Sequence, residues 1–113
     1  LKNLSYGDAA TIKIILEIPT AETKYAAEIA SCITSADALV DGKLSKIGLT
    51  VPSATPQNVI DAADYYCAWV FRHRRDPTGA EAFWSEAEKF LNAYIESTQT
   101  SKDLPIALGQ DTS

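Results

Sequence analysis

Few side chains in these 113 residues are of types that do chemistry, and their spacing limits what they can do. His73 is the only histidine, so it cannot found a multi-histidine metal site, and Cys32 and Cys67 lack the paired spacing of zinc ligands. Cys67 and His73 lie six residues apart on one helical stretch, too far along the axis for the direct hydrogen bond that activates a thiol nucleophile. Asp61 and Asp64 fall one turn apart and could work as paired carboxylates. Near a helix N-terminus, however, such a pair is also what a solvated face carries, because the dipole favours negative charge there. No glycine-rich phosphate loop, nucleophile elbow or dinucleotide fingerprint occurs. The expectation is a protein that is not an enzyme and holds no metal or cofactor.

Two features remain that suit binding. Arg72-His73-Arg74-Arg75 is the strongest local charge, in a chain whose net charge is -5. Cations in a last helical turn interact with free carbonyls, which is one role for the run. The other is an interaction patch in which the guanidinium groups of Arg72, Arg74 and Arg75 meet carboxylates or phosphates of a partner. The second feature is the apolar island Leu104-Pro105-Ile106-Ala107-Leu108, set between polar segments. Leu104, Ile106 and Leu108 alternate, as in an extended segment, and the expectation is that they fold back on their own domain, dock on a neighbour or belong to a disordered tail.

The elements that must position these residues centre on residues 56–94. Apolar residues recur at helical spacing at Val59, Ala62, Ala63, Tyr66, Trp69 and Val70, and again at Phe83, Ala87, Phe90, Leu91 and Tyr94. Asp76-Pro77-Thr78-Gly79 interrupts the two stripes, which makes a helical hairpin. Both tryptophans and all three phenylalanines fall inside it, so the other segments must pack against this pair. Thr55 and Pro56 suit an N-cap and first helical position for its first arm, which should end near Arg75. Asp76 or Thr78 can cap the second arm, expected to run to about Ser97.

Upstream, Gly7 and Asp8 suit an N-cap for a short helix with Ala9, Ile12, Ile15 and Leu16 on one face, although the β-branched run 12–15 also fits a strand. Pro19 ends it. A long second helix is expected over residues 21–47, on the stripe Tyr25, Ile29, Ile33, Ala36, Val40, Leu44 and Ile47. Gly42 is its weak point and Gly48 its closing residue. Cys32 and Cys67 each sit on an apolar stripe and suit two buried small hydrophobes, with a disulfide between the two helices also feasible.

The fold class that follows is all-α: a compact bundle of about four helices, with residues 1–97 forming the helical domain and 98–113 an extended C-terminal tail. Hydrophobic residues at 46% and charged residues at 22% are ordinary globular values. No apolar run approaches the roughly 20 residues of a membrane span, and the first residues carry no signal-peptide core. An acidic chain with a sequence pI near 4.7 is poorly suited to binding nucleic acid through phosphate contacts.

The order of features resembles a family. Tyr6 and Asp8 opening a short first helix, a long second helix ending before Gly48-Leu49-Thr50-Val51-Pro52, and Pro56 to Ala68 leading into Trp69-Val70-Phe71-Arg72 and Arg75-Asp76-Pro77 look like the small helical head-tail connector proteins of tailed viruses, of the gp6-like adaptor or head-completion type. The resemblance spans roughly residues 6–97. It implies a structural virion protein, assembled in the host cytoplasm, whose copies form a homo-oligomeric ring beneath the portal and link capsid to tail. Its implied partners are the portal protein, neighbouring copies and a tail-side completion or stopper protein, with DNA passing through the ring but no sequence-specific nucleic-acid contact and no membrane. The family's C-terminal segment docks on the portal, which would give Leu104, Ile106 and Leu108 that role. The alternatives are a generic helical protein-interaction domain and a small DNA-binding regulatory module.

Overall fold

A computed structural model describes residues 6–103 of the chain, with side chains described to residue 98. All four elements in it are helices: α1 (Ala9–Leu16), α2 (Ala26–Ser45), α3 (Gln57–His73) and α4 (Pro77–Asp103). The hydrophobic period over residues 12–15 is thus resolved as helix. Asp8 caps α1, its carboxylate accepting from the Thr11 amide at 3.0 Å and the Thr11 hydroxyl at 3.1 Å. The helix closes at Glu17, a non-glycine residue in the left-handed region (φ 63°), with the Ile18 amide reaching back to the Lys13 carbonyl at 2.8 Å. Lys13 then organises the following connector, donating its ammonium to the carbonyls of Glu22 (2.6 Å) and Thr20 (3.2 Å).

Helix α2 starts at Ala26, five residues later than its hydrophobic pattern suggests. Turns at Pro19–Glu22 and Thr23–Ala26 take the intervening amides, and the Glu22 carboxylate accepts from the Lys24 amide. Gly42 stays within the helix, where a Cβ would meet nothing within 4 Å. Gly48 sits at φ 78° and ends the turn: its amide bonds the Ser45 carbonyl and the Leu49 amide bonds the Leu44 carbonyl, the paired closure that needs a left-handed residue. Pro56, with φ -63° and ψ 149°, is the N-cap of α3, so Thr55 lies one residue outside the position expected of it. Asp76 caps α4, accepting from the Gly79 amide at 3.1 Å, with Pro77 at the first helical position. α4 continues past Ser97 to Asp103, so residues 98–103, whose polar composition suggests a spacer, carry the chain onward as helix. Residues 104–108 lie outside the described residues.

Helix α3 is the centre. α2 and α4 both pack on it, and α1 touches both it and α2. That placement accounts for its burial pattern: Val59, Ala62, Ala63, Asp64, Tyr66, Cys67, Ala68 and Phe71 are all buried, more than one face of an amphipathic helix would supply. The small side chains of Ala62, Ala63, Cys67 and Ala68 let its neighbours approach closely. Against them stand Ile12 and Leu16 of α1, Ile29, Cys32, Ala36, Val40 and Leu44 of α2, and Ala87, Leu91 and Tyr94 of α4. Cys32 and Cys67 are free, buried thiols within this core. The Cys67 thiol faces the Ile29 carbonyl at 3.9 Å. Burial pushes both thiols above their ordinary range, which leaves them little thiolate for reaction.

Asp64 overturns the solvated-face expectation. It is 2% exposed, and its Oδ1 accepts the Asp8 amide at 2.8 Å, tying the start of α1 to the middle of α3. A Cβ at Gly7 would come within 2.8 Å of that oxygen, so glycine is what permits the approach. The same segment is held to α2 through the Tyr6 amide on Asp37 (3.2 Å) and the Tyr6 hydroxyl on Asp41 (2.6 Å).

Candidate interaction surface

The basic run lies at the end of α3, where the chain turns into α4, and its members have different surroundings. Arg75 donates from Nη2 to Glu28 Oε1 at 2.7 Å and from Nη1 to Glu28 Oε2 at 3.0 Å, while Arg74 reaches the same Oε2 at 3.0 Å. One carboxylate at the start of α2 therefore gathers two guanidinium groups from the end of α3. The hydrogen bond from Arg75 is the main reason the Glu28 carboxyl is held down to about 2. Arg75 also lies 4.0 Å from the Phe71 ring centroid and donates to the Phe71 carbonyl at 3.0 Å; Tyr25 meets Phe71 edge-on at 5.4 Å. This is an internal clasp between α2 and α3, built from charge and aromatic faces.

Arg72 is different. Its guanidinium lies over the Phe83 ring at 5.5 Å, and among the described residues no carboxylate pairs with it. Of the three arginines expected to contact a partner, Arg72 has no carboxylate partner among the described residues, and Arg74 and Arg75 share the single carboxylate of Glu28. Leu104, Ile106 and Leu108, the other expected contact residues, lie outside the described residues. No sequence signal could have named Glu28 as the partner, because it stands 46 and 47 residues from the arginines and only the packing of α2 on α3 brings it there.

Beside the run, on the side facing α4, is a cleft of about 510 Å³ lined by Trp69, His73, Pro77, Thr78, Glu81, Trp84 and Ser85. Its floor is aromatic. The Trp69 ring lies 4.8 Å from that of Trp84 and 4.7 Å from that of His73, and Trp84 meets the buried Tyr66 edge-on at 5.0 Å. Lys43 of α2 stands 5.0 Å over Trp84 and 3.6 Å from Glu88. Trp69 is only half-buried and packs on Trp84 and His73 rather than against the central core, so the core role its place in the helical stripe suggests is corrected here. The reason is rotation: α3 turns its Ala63, Cys67 and Phe71 side inward, which leaves Trp69 near the rim of its contact with α4. Sequence reasoning missed the cleft because the stripe pattern cannot say which aromatic of a doubly packed helix lies at the edge.

A smaller recess of about 240 Å³ between α2 and α4 is lined by Lys43, Lys46, Ile47, Tyr66, Glu88, Leu91, Asn92 and Ile95. The Tyr66 hydroxyl is buried and has no hydrogen-bond partner among the described residues. No group of three or more histidine, cysteine, aspartate or glutamate side chains suited to a metal ion occurs among the described residues. Comparison with protein families, with curated proteins and with solved structures finds no match to this chain.

Proposed function

We propose that this chain is a structural virion protein of a tailed virus: a head-tail connector, or adaptor, that assembles as a homo-oligomeric ring beneath the portal and links the capsid to the tail. The observation that carries the proposal is where the residues bearing the resemblance lie. Tyr6 and Asp8 fasten and cap the first helix, Gly48 closes the long second one, Pro56 opens the third, and Asp76 with Pro77 opens the fourth. Each sits at a corner of the bundle, so the pattern they make is a pattern of fold and not of composition alone.

The surface chemistry supports an interaction role. Arg72, with no carboxylate partner among the described residues, and an aromatic cleft both lie near the α3–α4 turn, and Ile14 and Ile47 are large apolar side chains left 65% and 47% exposed. On an acidic chain, a local cation gives copies complementary surfaces for head-to-tail contacts. The same geometry weighs against the DNA-binding alternative, since Glu28 engages two of the three arginines in the run and offsets one of their charges, which reduces what the run offers phosphate. The partners in this proposal are the portal, neighbouring copies and a tail-side completion protein, and its place is the virion, assembled in the host cytoplasm. No helix among the described residues is long and apolar enough to cross a membrane.

The test is reconstitution. The purified chain is mixed with rings of the portal protein encoded beside it, and the product is sedimented and imaged by electron microscopy. The proposal expects an added ring of density on the tail-facing side of the portal. A chain that neither joins the portal nor forms rings on it would overturn the proposal.

A further inference from the structure

We infer that the aromatic cleft at the α3–α4 turn receives residues 104–108 of a second copy of this chain. The inference rests on the homo-oligomeric part of the function proposed above and gives these residues to the contact between copies, in place of the portal contact that the resemblance implies. Two indole rings, an imidazole and Pro77 make a surface with several apolar planes, which suits an extended segment carrying a proline and spaced aliphatic side chains. Leu104-Pro105-Ile106-Ala107-Leu108 has that sequence pattern. Trp69 packs on Trp84 and His73 outside the bundle's central core and keeps part of its ring exposed.

Reach decides that the segment comes from another copy. The cleft is built on the first turns of α4, whereas the segment follows Asp103 at that helix's last residue. Ser85, the cleft residue nearest that end, is 18 positions before Asp103 on the same continuous helix. At 1.5 Å per residue they are about 27 Å apart. Leu108, five residues beyond Asp103, reaches at most about 18 Å when fully extended. The segment therefore cannot occupy the cleft of its own chain. A second copy has no such limit, and because one end of α4 offers the segment and the other the cleft, the contact can repeat from copy to copy around a ring.

Both tryptophans of the chain line this cleft, so indole fluorescence reports it directly. The experiment uses the full chain, a full-length variant with Leu104→Ser, Ile106→Ser and Leu108→Ser, and a synthetic peptide of residues 102–111. The wild-type chain is expected to associate as its concentration rises, with a shift of indole emission to shorter wavelength. The triple variant should associate at least about tenfold more weakly, as loss of three buried aliphatic groups from one contact implies. Adding the peptide to the variant should restore the emission shift saturably, and Ser85→Arg, a change at the exposed lip, should weaken that binding at unchanged melting temperature. Association of the triple variant as strong as wild type, or indole signals that ignore the peptide, would overturn the inference. Failure to join the portal while the peptide still binds would overturn the connector proposal and leave this contact standing, whereas portal attachment by a chain whose cleft ignores the peptide would do the reverse.

Discussion

Replacing Asp64 by Asn should make the protein more stable at neutral pH, although it alters a buried, hydrogen-bonded side chain. Asp64 lies between α1 and α3, and burial pushes its carboxyl up to about 6 from an ordinary 3.8, with the nearby charges of Asp8 and Asp61 adding to the effect and the Asp8 amide opposing it. In the folded protein this group holds its proton more tightly than in the unfolded chain. Between pH 4 and 6 the folded state therefore binds more protons, and stability is lost as pH rises through that window. A difference of about two pH units, at about 1.4 kcal/mol each, sets a ceiling of about 3 kcal/mol on the cost of keeping the carboxylate charged. Asn keeps an oxygen to accept the Asp8 amide and carries no charge. Urea unfolding followed by circular dichroism should show Asp64→Asn gaining up to about 3 kcal/mol over wild type at pH 7.5, with the gap closing near pH 4. Glu28 works in the opposite sense, contributing stability that is lost only as pH falls below about 4.5 towards 2. The comparison is therefore clean above pH 4.5. Asp64→Ala, which strands the Asp8 amide, should be about 1–3 kcal/mol less stable than Asp64→Asn at any pH, since neither variant titrates at this position. An Asn variant less stable than wild type at pH 7.5, or a gap that does not change with pH, would refute the reasoning.

Other expected outcomes are as direct. Gly42→Ala, with open space around it inside α2, should raise stability by about 0.5–1 kcal/mol, whereas Gly48→Ala at φ 78° should lower it by about 1–2 kcal/mol; paired thermal melts measure both. Arg74→Glu sets a second carboxylate against Glu28 and should lower the melting temperature, while Arg72→Glu should leave it within a degree or two and act on assembly instead, a split read by melts and sedimentation together. Trp69→Ala, at a half-buried rim position, should cost less than the roughly 3–5 kcal/mol of a buried aromatic truncation, and chemical denaturation checks this. Neither Cys32 nor Cys67 should react with a thiol reagent such as dithionitrobenzoate in the native state, both reacting once the chain is unfolded.

Local chemistry is what the sequence by itself determined. Stripes at helical spacing set the four helices, Asp8 and Asp76 set two of their starts, and Gly48 set one end, because caps and turns depend on a few adjacent residues and their allowed dihedrals. The start of α2 was less legible, since Tyr25 continues the apolar stripe and packs on Phe71 from just outside the helix. Tertiary structure alone decided which helix is central. Only after α3 is covered by three neighbours is Asp64 dry, Trp69 displaced to a rim, and Arg74 and Arg75 brought to Glu28. A residue's period along the chain tells which face it shares, but desolvation and charge pairing depend on what covers that face. That covering comes from segments dozens of residues away, whose rotation about α3 no local pattern encodes.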